Sequence, residues 1–177
     1  MRLWGRASLM IGSALGIPLL LVLYLDHLGL AINLSSSMPL GFYLRQSNDG
    51  IKSGDIVAAC LSSSIAHYGR RRGYLHIGHC PGFASPVIKQ VIAIPGDRVQ
   101  VTSANIIVNE AVYDAPLQYR DHDGFVVKRF IDKRKTHVSN TYWLYGHHAP
   151  IHSWDSRYWG GVERSQILGV YRPLLTF

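Results

Sequence analysis

The residues of this chain that could carry out chemistry begin with a group of serines. They lie in Asn33-Leu34-Ser35-Ser36-Ser37-Met38-Pro39-Leu40-Gly41-Phe42-Tyr43. A serine hydroxyl is a weak nucleophile until a base removes its proton, and no His-Asp pair in the sequence stands out as that base. Lysine can act as the base when burial lowers its pKa and keeps the amine neutral. A lysine buried beside Ser37 would therefore make a Ser-Lys hydrolase.

Lys89 is the candidate for that lysine. It lies in Val87-Ile88-Lys89-Gln90-Val91-Ile92-Ala93-Ile94, an apolar run of strand length. Its neighbour in sequence is the uncharged Gln90. A carboxylate in that place would favour the charged form of the amine and prevent it from acting as a base. The alternative is that Lys89 points from an edge strand into water, where lysines are usually found. The serine group and a late polar segment favour the catalytic interpretation.

The late segment is Ser153-Trp154-Asp155-Ser156-Arg157-Tyr158-Trp159-Gly160. It adds a hydroxyl and a carboxylate–guanidinium pair to the candidate site. Ser35 precedes Ser37 by two residues, so its hydroxyl could join a backbone N–H as an oxyanion donor. Alternatively, Ser35 and Ser36 are turn residues that bond nearby backbone.

Short apolar runs separated by turn signals predict strands after residue 55. The predicted strands are Ile56–Cys60, Val87–Ile94, Arg98–Thr102, Asn105–Val108, Phe125–Ile131, Tyr142–Tyr145 and Ile167–Tyr171. One short helix is predicted within Ser62–Tyr74. This pattern indicates a mainly β, antiparallel domain.

The segment Ala7–Leu25 contains 19 residues without a charge, the length that a membrane-spanning helix needs. Arg2 and Arg6 precede it, which places the N-terminus in the cytoplasm and the rest of the chain outside. The alternative is a cleavable signal peptide, with small residues at Gly29-Leu30-Ala31. We therefore divide the chain into an N-terminal tip and anchor, residues 1–28, and an exported domain, residues 29–177.

The chain has two cysteines, Cys60 and Cys80. Outside the cytoplasm such a pair is more often a disulfide than a metal half-site. We therefore predict a Cys60–Cys80 bridge, with two free thiols as the alternative.

The chain is basic, with a formal net charge of +7. This balance by itself permits a nucleic acid, an anionic lipid surface or an acidic substrate as partner. Three histidines, His147, His148 and His152, lie close in sequence, but Gly146 and Pro150 make this segment a predicted loop rather than a metal site. We expect a lipid bilayer and a protein substrate as partners, and no nucleic acid, metal or cofactor.

Together, the three segments resemble those of a known family. The serine group, Lys89 in Lys-Gln-Val-Ile-Ala-Ile-Pro-Gly-Asp and the late segment occur in the same order as in Ser-Lys type I signal peptidases. The compact spacing from Ser37 to Met38 and Pro39 resembles the conjugative-transfer, TraF-type subgroup. The resemblance runs from about Asn33 to Leu174.

The resemblance implies an all-β, partly open, barrel-like core on one N-terminal transmembrane helix in a bacterial inner membrane, with a periplasmic catalytic domain. It implies that Ser37 is the nucleophile, Lys89 the general base and Ser35 an oxyanion donor together with the Ser37 N–H. Ser153 would orient the Lys89 amine, and an Asp155–Arg157 pair would brace the site. The implied substrate is the signal peptide of a pilin-like precursor for conjugative transfer by type IV secretion. The alternatives are a general type I signal peptidase and a non-catalytic exported assembly factor.

Overall fold

A computed structural model describes residues 29–46, 50–131 and 137–177 and folds them into two antiparallel sheets. In chain order the elements are β1 (Leu30–Asn33), β2 (Gly41–Arg45), β3 (Ile56–Ala59), α1 (Ser63–Arg71), β4 (Ile77–Cys80), β5 (Val87–Ala93), β6 (Arg98–Val101), β7 (Asn105–Val108), β8 (Ala111–Asp114), β9 (His137–Val138), β10 (Trp143–Tyr145), α2 (Ser156–Trp159) and β11 (Ile167–Thr176). Short 3₁₀ turns lie at Pro81–Phe83, Pro150–His152 and Arg164–Gln166. The prediction of a mainly β, antiparallel domain is confirmed.

The larger sheet has the strand order β1-β2-β11-β3-β5-β10. Strand β5 lies inside it and buries every side chain except Gln90. A strand covered on both faces has few positions for polar residues, which explains the nearly continuous apolar run over Val87–Ala93. Lys89 is therefore an amine in the middle of a buried strand.

The smaller sheet has the order β8-β7-β6-β9. Strand β6 alternates exposed and buried residues, as expected of a strand with one face toward the core. Its buried valines, Val99 and Val101, pack with Ile106, Trp143 and other apolar side chains. This sheet thus has an ordinary apolar core.

The segment between β3 and β5 packs against the rest of the molecule through α1 and is also joined to it by a disulfide. Helix α1 falls within the predicted helical segment and buries Gly69. A β-carbon at Gly69 would lie 2.6 Å from the ring of Trp154, so the close approach of helix and ring requires glycine. The predicted disulfide between Cys60 and Cys80 is present, with the Cα atoms 5.3 Å apart. Closing a loop of this size stabilises a fold by about 3 kcal/mol in the chain-entropy account.

The prediction of a strand over Phe125–Ile131 is wrong. In this region only a single bridge forms, between Arg120 and Val126. The Lys128 N–H donates to the hydroxyl of Tyr68, 2.9 Å away, instead of to a neighbouring strand. The segment has strand-like residues but is attached to α1 by side-chain contacts.

The predicted membrane helix, Ala7–Leu25, lies outside the described residues, as does the domain boundary after residue 28. Within the described ranges, no helix combines the length and the apolar character needed to cross a bilayer.

Candidate active site

The serine group forms the loop of the hairpin that joins β1 to β2. Asn33 and Gly41 are paired at the base of this hairpin. The Asn33 side-chain amide donates to the carbonyl oxygens of Ser35, Met38 and Pro39 at 2.9–3.0 Å. Because Asn33 is only 4% exposed, this amide fixes the loop from within.

Strand β5 brings Lys89 to this loop. Lys89 and Ser37 are both buried, with 4% and 1% of their surfaces exposed. The Lys89 Nζ donates a hydrogen bond to the Ser37 Oγ. The backbone of Lys89 is paired with Val57 of β3, so the position of the amine is set by the interior of the larger sheet.

Burial changes the chemistry of this amine. It lowers the pKa of Lys89 to about 8, because the charged form loses its hydration. The nearby Asp155 carboxylate opposes this shift, and the Arg157 guanidinium adds to it. At pH 7 about a tenth of Lys89 is therefore neutral and able to accept a proton, and this fraction rises with pH.

Ser35 lies directly against Ser37. The two hydroxyl oxygens are 2.9 Å apart, and the Ser37 N–H donates to the Ser35 Oγ at 3.4 Å. The two groups predicted to form an oxyanion hole are thus adjacent and bonded to each other. To hold a substrate oxygen, the Ser37 N–H would exchange this long bond for one to the substrate.

The late segment forms a second, more deeply buried network. Asp155 and Arg157 are both fully buried. The Asp155 carboxylate accepts from the Arg157 Nε at 2.8 Å and from the Ser153 hydroxyl at 2.7 Å. Arg157 also donates to the carbonyl oxygens of Pro116 and Pro150, both at 2.7 Å. The predicted Asp155–Arg157 pair is therefore present and satisfied on several sides.

Ser153 is buried beside Ser37, but its hydroxyl donates to Asp155. Among the described residues it makes no hydrogen bond to Lys89. Its predicted role in orienting the Lys89 amine stays a prediction.

Sequence reasoning missed Gly146, which separates the two networks. A β-carbon at this position would overlap the Ser153 Oγ and lie 2.8 Å from the Ser37 Cβ. The Gly146 N–H also donates to Asp155 at 3.2 Å. A glycine directly after the buried strand β10 was the only signal in the sequence. Sequence reasoning also gave no role to Ser156, whose hydroxyl accepts from the Leu144 N–H at 2.8 Å.

A cavity of about 800 Å³ opens beside these residues. One wall is β1, which pairs only with β2 among the described strands. The lining also includes residues 85–89, which lead into β5 and form its first three positions. The volume lies within the range of about 300–1,000 Å³ that is usual for ligand pockets, and both Lys89 and Ser35 are in the lining.

Within the described residues, one group of side chains is close enough to hold a metal ion: Cys60, His79 and Cys80. Both sulfur atoms belong to the disulfide, so they cannot act as thiolate ligands. The group is a histidine beside a disulfide.

The chain belongs to the signal peptidase family, peptidase S26, whose model matches residues 5–175. It is 32% identical over 151 residues to the conjugal transfer protein TraF of Agrobacterium fabrum (strain C58 / ATCC 33970), covering 84% of each chain. The TraF protein of Agrobacterium tumefaciens (strain 15955) is 35% identical over the same length and coverage. The resemblance to TraF-type proteins that the motifs predicted is therefore confirmed.

The fold can also be compared with solved structures. A crystal structure of a signal peptidase I from Enterococcus faecalis V583 aligns with a TM-score of 0.40 and 20% identity. The alignment covers 70% of this chain and 98% of that chain.

Proposed function

We propose that this protein is a membrane-anchored serine endopeptidase with a Ser37–Lys89 dyad, and that it cleaves the signal peptide of a pilin-like precursor used in conjugative transfer. The single observation that carries the proposal is the hydrogen bond between the buried Lys89 amine and the Ser37 hydroxyl. A lysine in this position has no structural reason to be buried, because desolvating it costs stability. Its position is explained if it serves as a base.

In the proposed reaction, neutral Lys89 takes the proton of the Ser37 hydroxyl as the oxygen attacks the scissile carbonyl carbon. The resulting oxyanion accepts hydrogen bonds from the Ser37 N–H and the Ser35 hydroxyl; one such donor typically contributes about 3 kcal/mol to the transition state. The Lys89 ammonium then gives its proton to the leaving amine, and the acyl-enzyme remains on Ser37. Lys89 then removes a proton from a water molecule, whose oxygen attacks the acyl carbon. The ester bond to Ser37 breaks, and the Lys89 ammonium returns its proton to the Ser37 oxygen.

The second network supports this chemistry by holding its parts in place. The Asp155 carboxylate accepts hydrogen bonds from the Ser153 hydroxyl and the Gly146 N–H. Gly146 lies against both Ser153 and Ser37, since a β-carbon there would meet the side chains of both. Arg157 holds Asp155 and the carbonyl oxygens around it. We assign positioning roles to Asp155 and Arg157 and propose that Ser153 orients the Lys89 amine once a substrate excludes water.

Exposed apolar side chains near the serine loop support a position at the membrane surface. Leu34 is 70% exposed, Leu175 60% and Phe177 76%. The Phe177 N–H donates to the Leu40 carbonyl oxygen at 3.0 Å, which attaches the end of the chain to the serine loop. Apolar residues in such a position can enter the lipid headgroup region. Together with the apolar segment Ala7–Leu25 they would hold the site beside a precursor in the same bilayer, where the effective concentration is high.

The test is co-expression of the full chain with a candidate pilin precursor, read by intact mass. We expect a mass loss with the wild type and none with Ser37→Ala or Lys89→Ala. Circular dichroism of the purified variants must show that each is folded. A further loss of one water from the product would indicate that an amine, rather than water, resolves the acyl-enzyme.

Two outcomes would overturn the proposal. Processing of an unrelated secretory precursor with equal efficiency would make the protein a general signal peptidase. Unprocessed precursors of both kinds, with folded wild type, would favour a non-catalytic assembly factor.

The pH dependence gives an independent check. Because the pKa of Lys89 is lowered to about 8, the fraction of free base rises with pH through that value. We expect kcat/KM for precursor cleavage to rise about tenfold per pH unit well below pH 8 and to level off above it. A profile that is flat between pH 6 and 9 would exclude Lys89 as the base.

A further inference from the structure

Apart from two tyrosines, Tyr74 and Tyr171, the titratable residues that line the 800 Å³ cavity all have basic side chains. They are Arg45, His76, His79, Lys89, His122 and His152. The described lining contains no aspartate or glutamate. A groove whose wall offers N–H donors and no acidic side chain of its own favours a hydrogen-bond acceptor such as a carboxylate over a cationic group.

Three of these residues already have partners. The His122 Nε2 lies 3.3 Å from the carboxylate of Asp123, and both side chains are more than half exposed. The Arg45 guanidinium donates to the Leu168 carbonyl oxygen. Lys89 is bonded to Ser37. These three residues are therefore not the main candidates for binding an additional acid.

Three histidines remain, namely His76, His79 and His152. Their side chains are exposed, and within the described ranges they form no side-chain hydrogen bond or ion pair. An imidazole N–H can donate to a carboxylate in both the neutral and the protonated state. The three side chains are therefore open donors at the wall of the groove.

The backbone that carries His76 and His79 is well anchored. The His76 carbonyl oxygen accepts from the Ser85 N–H at 2.8 Å. His79 is in β4, directly before Cys80, which is bonded to Cys60. The backbone that carries the two histidines is therefore anchored close to the start of β5, the strand that contains Lys89.

We propose that this groove selects a peptide with an acidic side chain close to the scissile bond, and that His76 and His79 bind its carboxylate. This inference rests on the proposed function, because it names a substrate preference of the proposed peptidase. Its test measures binding alone and does not require cleavage. It names a preference that comes from the wall of the groove rather than from the Ser37–Lys89 pair.

The test measures binding rather than cleavage. The probe is a set of fluorescently labelled peptides with blocked termini, built around an Ala-x-Ala sequence. Each pair of peptides differs only by Glu or Gln, at one position flanking the second alanine. The full-length chain carrying Ser37→Ala, in detergent micelles, is titrated against each peptide by fluorescence anisotropy. We expect the Glu peptide to bind about fivefold more tightly than its Gln twin at one position or more.

Matched variants assign the preference to the groove. His76→Ala together with His79→Ala should reduce the Glu-to-Gln ratio to about one. His67→Ala, on the exposed side of α1 and outside the cavity lining, should leave the ratio at fivefold. A second control peptide carries its Glu far from the Ala-x-Ala sequence. If that peptide gains as much affinity, the net charge of the chain explains the effect and the proposal is wrong.

Equal affinities for every Glu and Gln pair would also overturn it, and so would a ratio unchanged in the double histidine variant. The failure of the proposed function has a different signature. In that case the wild type would bind Glu peptides preferentially and cleave none of them.

Discussion

Two buried regions of this protein are held together by different forces. The first, the polar cluster, comprises the buried polar residues around Ser37, namely Asn33, Ser37, Lys89, Ser153, Asp155, Ser156 and Arg157. The second is the four-stranded sheet, whose buried face consists of apolar residues such as Val99 and Ile106. The sheet is stabilised by removing apolar surface from water. The polar cluster is stabilised only as far as its hydrogen bonds replace those to water.

The difference explains why the cluster is so completely bonded. Arg157 alone reaches three carbonyl oxygens besides the Asp155 carboxylate. Lys89 is the exception, because among the described residues its amine has a single hydrogen-bond partner, the Ser37 hydroxyl. Substitutions in the polar cluster should therefore change the cleavage rate and the free energy of unfolding by amounts that do not run in parallel. Substitutions in the four-stranded sheet should change stability alone.

The largest effect is expected from breaking the buried ion pair. Arg157→Leu leaves the Asp155 carboxylate buried without its cation, so we expect the free energy of unfolding to fall by about 3–5 kcal/mol. Urea unfolding of the full chain, followed by tryptophan fluorescence, measures this. Arg98→Leu, at an exposed position of β6, is the control and should change the same quantity by less than about 0.5 kcal/mol. Equal effects of the two variants would contradict the proposed difference between the regions.

The next effect concerns Gly146. Gly146→Ala places a methyl group against Ser153 and Ser37, and a displacement of about 1 Å at a reacting group costs about 100-fold in rate. We expect kcat/KM for precursor cleavage to fall by about that factor. The free energy of unfolding should fall by about 1–3 kcal/mol, the usual cost of overpacking.

Gly161→Ala is the matched control, because its β-carbon would overlap Thr141 and approach Trp143. Trp143 belongs to the apolar core of the four-stranded sheet rather than to the polar cluster. It should destabilise the protein by a similar amount and leave the rate within about threefold of the wild type. If both variants lost activity equally, the role of Gly146 would be general rather than specific to the site.

The third substitution, Lys89→Met, is expected to raise the free energy of unfolding rather than lower it. Burial moves the pKa of Lys89 from 10.5 to about 8, which corresponds to about 3 kcal/mol of destabilisation. Lys89→Met removes this cost and also removes the bond to Ser37, worth about 1 kcal/mol. We therefore expect an inactive protein that is about 2 kcal/mol more stable at pH 7.

The sign of its pH dependence follows from linkage. Between the folded pKa of about 8 and the unfolded value of 10.5, the unfolded chain binds more protons at Lys89 than the folded chain does. The wild type therefore gains stability relative to Lys89→Met as the pH rises through this range. The advantage of the variant should be complete below pH 8 and absent above about pH 11. Unfolding by urea at pH 7 and pH 10 measures the change, and an advantage that stays constant would contradict it.

The two regions also differ in how far the sequence predicted them. Strands β5, β6 and β7 were predicted to within one residue, because their apolar patterns are set locally. The position of Lys89 in a buried strand followed from the same pattern. Strands β1 and β2 were not predicted, because the residues between them, Ser35 to Gly41, carry the signals of an irregular loop.

The contacts of Gly146, Asn33 and Ser156 could not be predicted for a different reason. Each depends on which distant segment the fold brings close, and a residue type alone does not specify that. The segment Phe125–Ile131 was predicted wrongly for the same reason, because its distant contacts decide its structure. Its residues favour a strand, but Tyr68 takes the N–H of Lys128 that a strand would need.

The smallest effect is expected in the four-stranded sheet, where Ile106→Val removes one buried methylene. Ile106, in β7, is fully buried in the apolar core of the four-stranded sheet, so the variant should lose about 1 kcal/mol of unfolding free energy. The rate of precursor cleavage should stay within about 1.5-fold of the wild type. A contact between this core and the polar cluster, the Arg157 guanidinium 5.3 Å from the centre of the Tyr145 ring, keeps both of its side chains in the variant. Urea unfolding and a cleavage assay on the same preparation measure both quantities. A loss of activity larger than twofold would show that packing in the four-stranded sheet affects the geometry at Ser37. The proposed independence of the two regions would then be wrong.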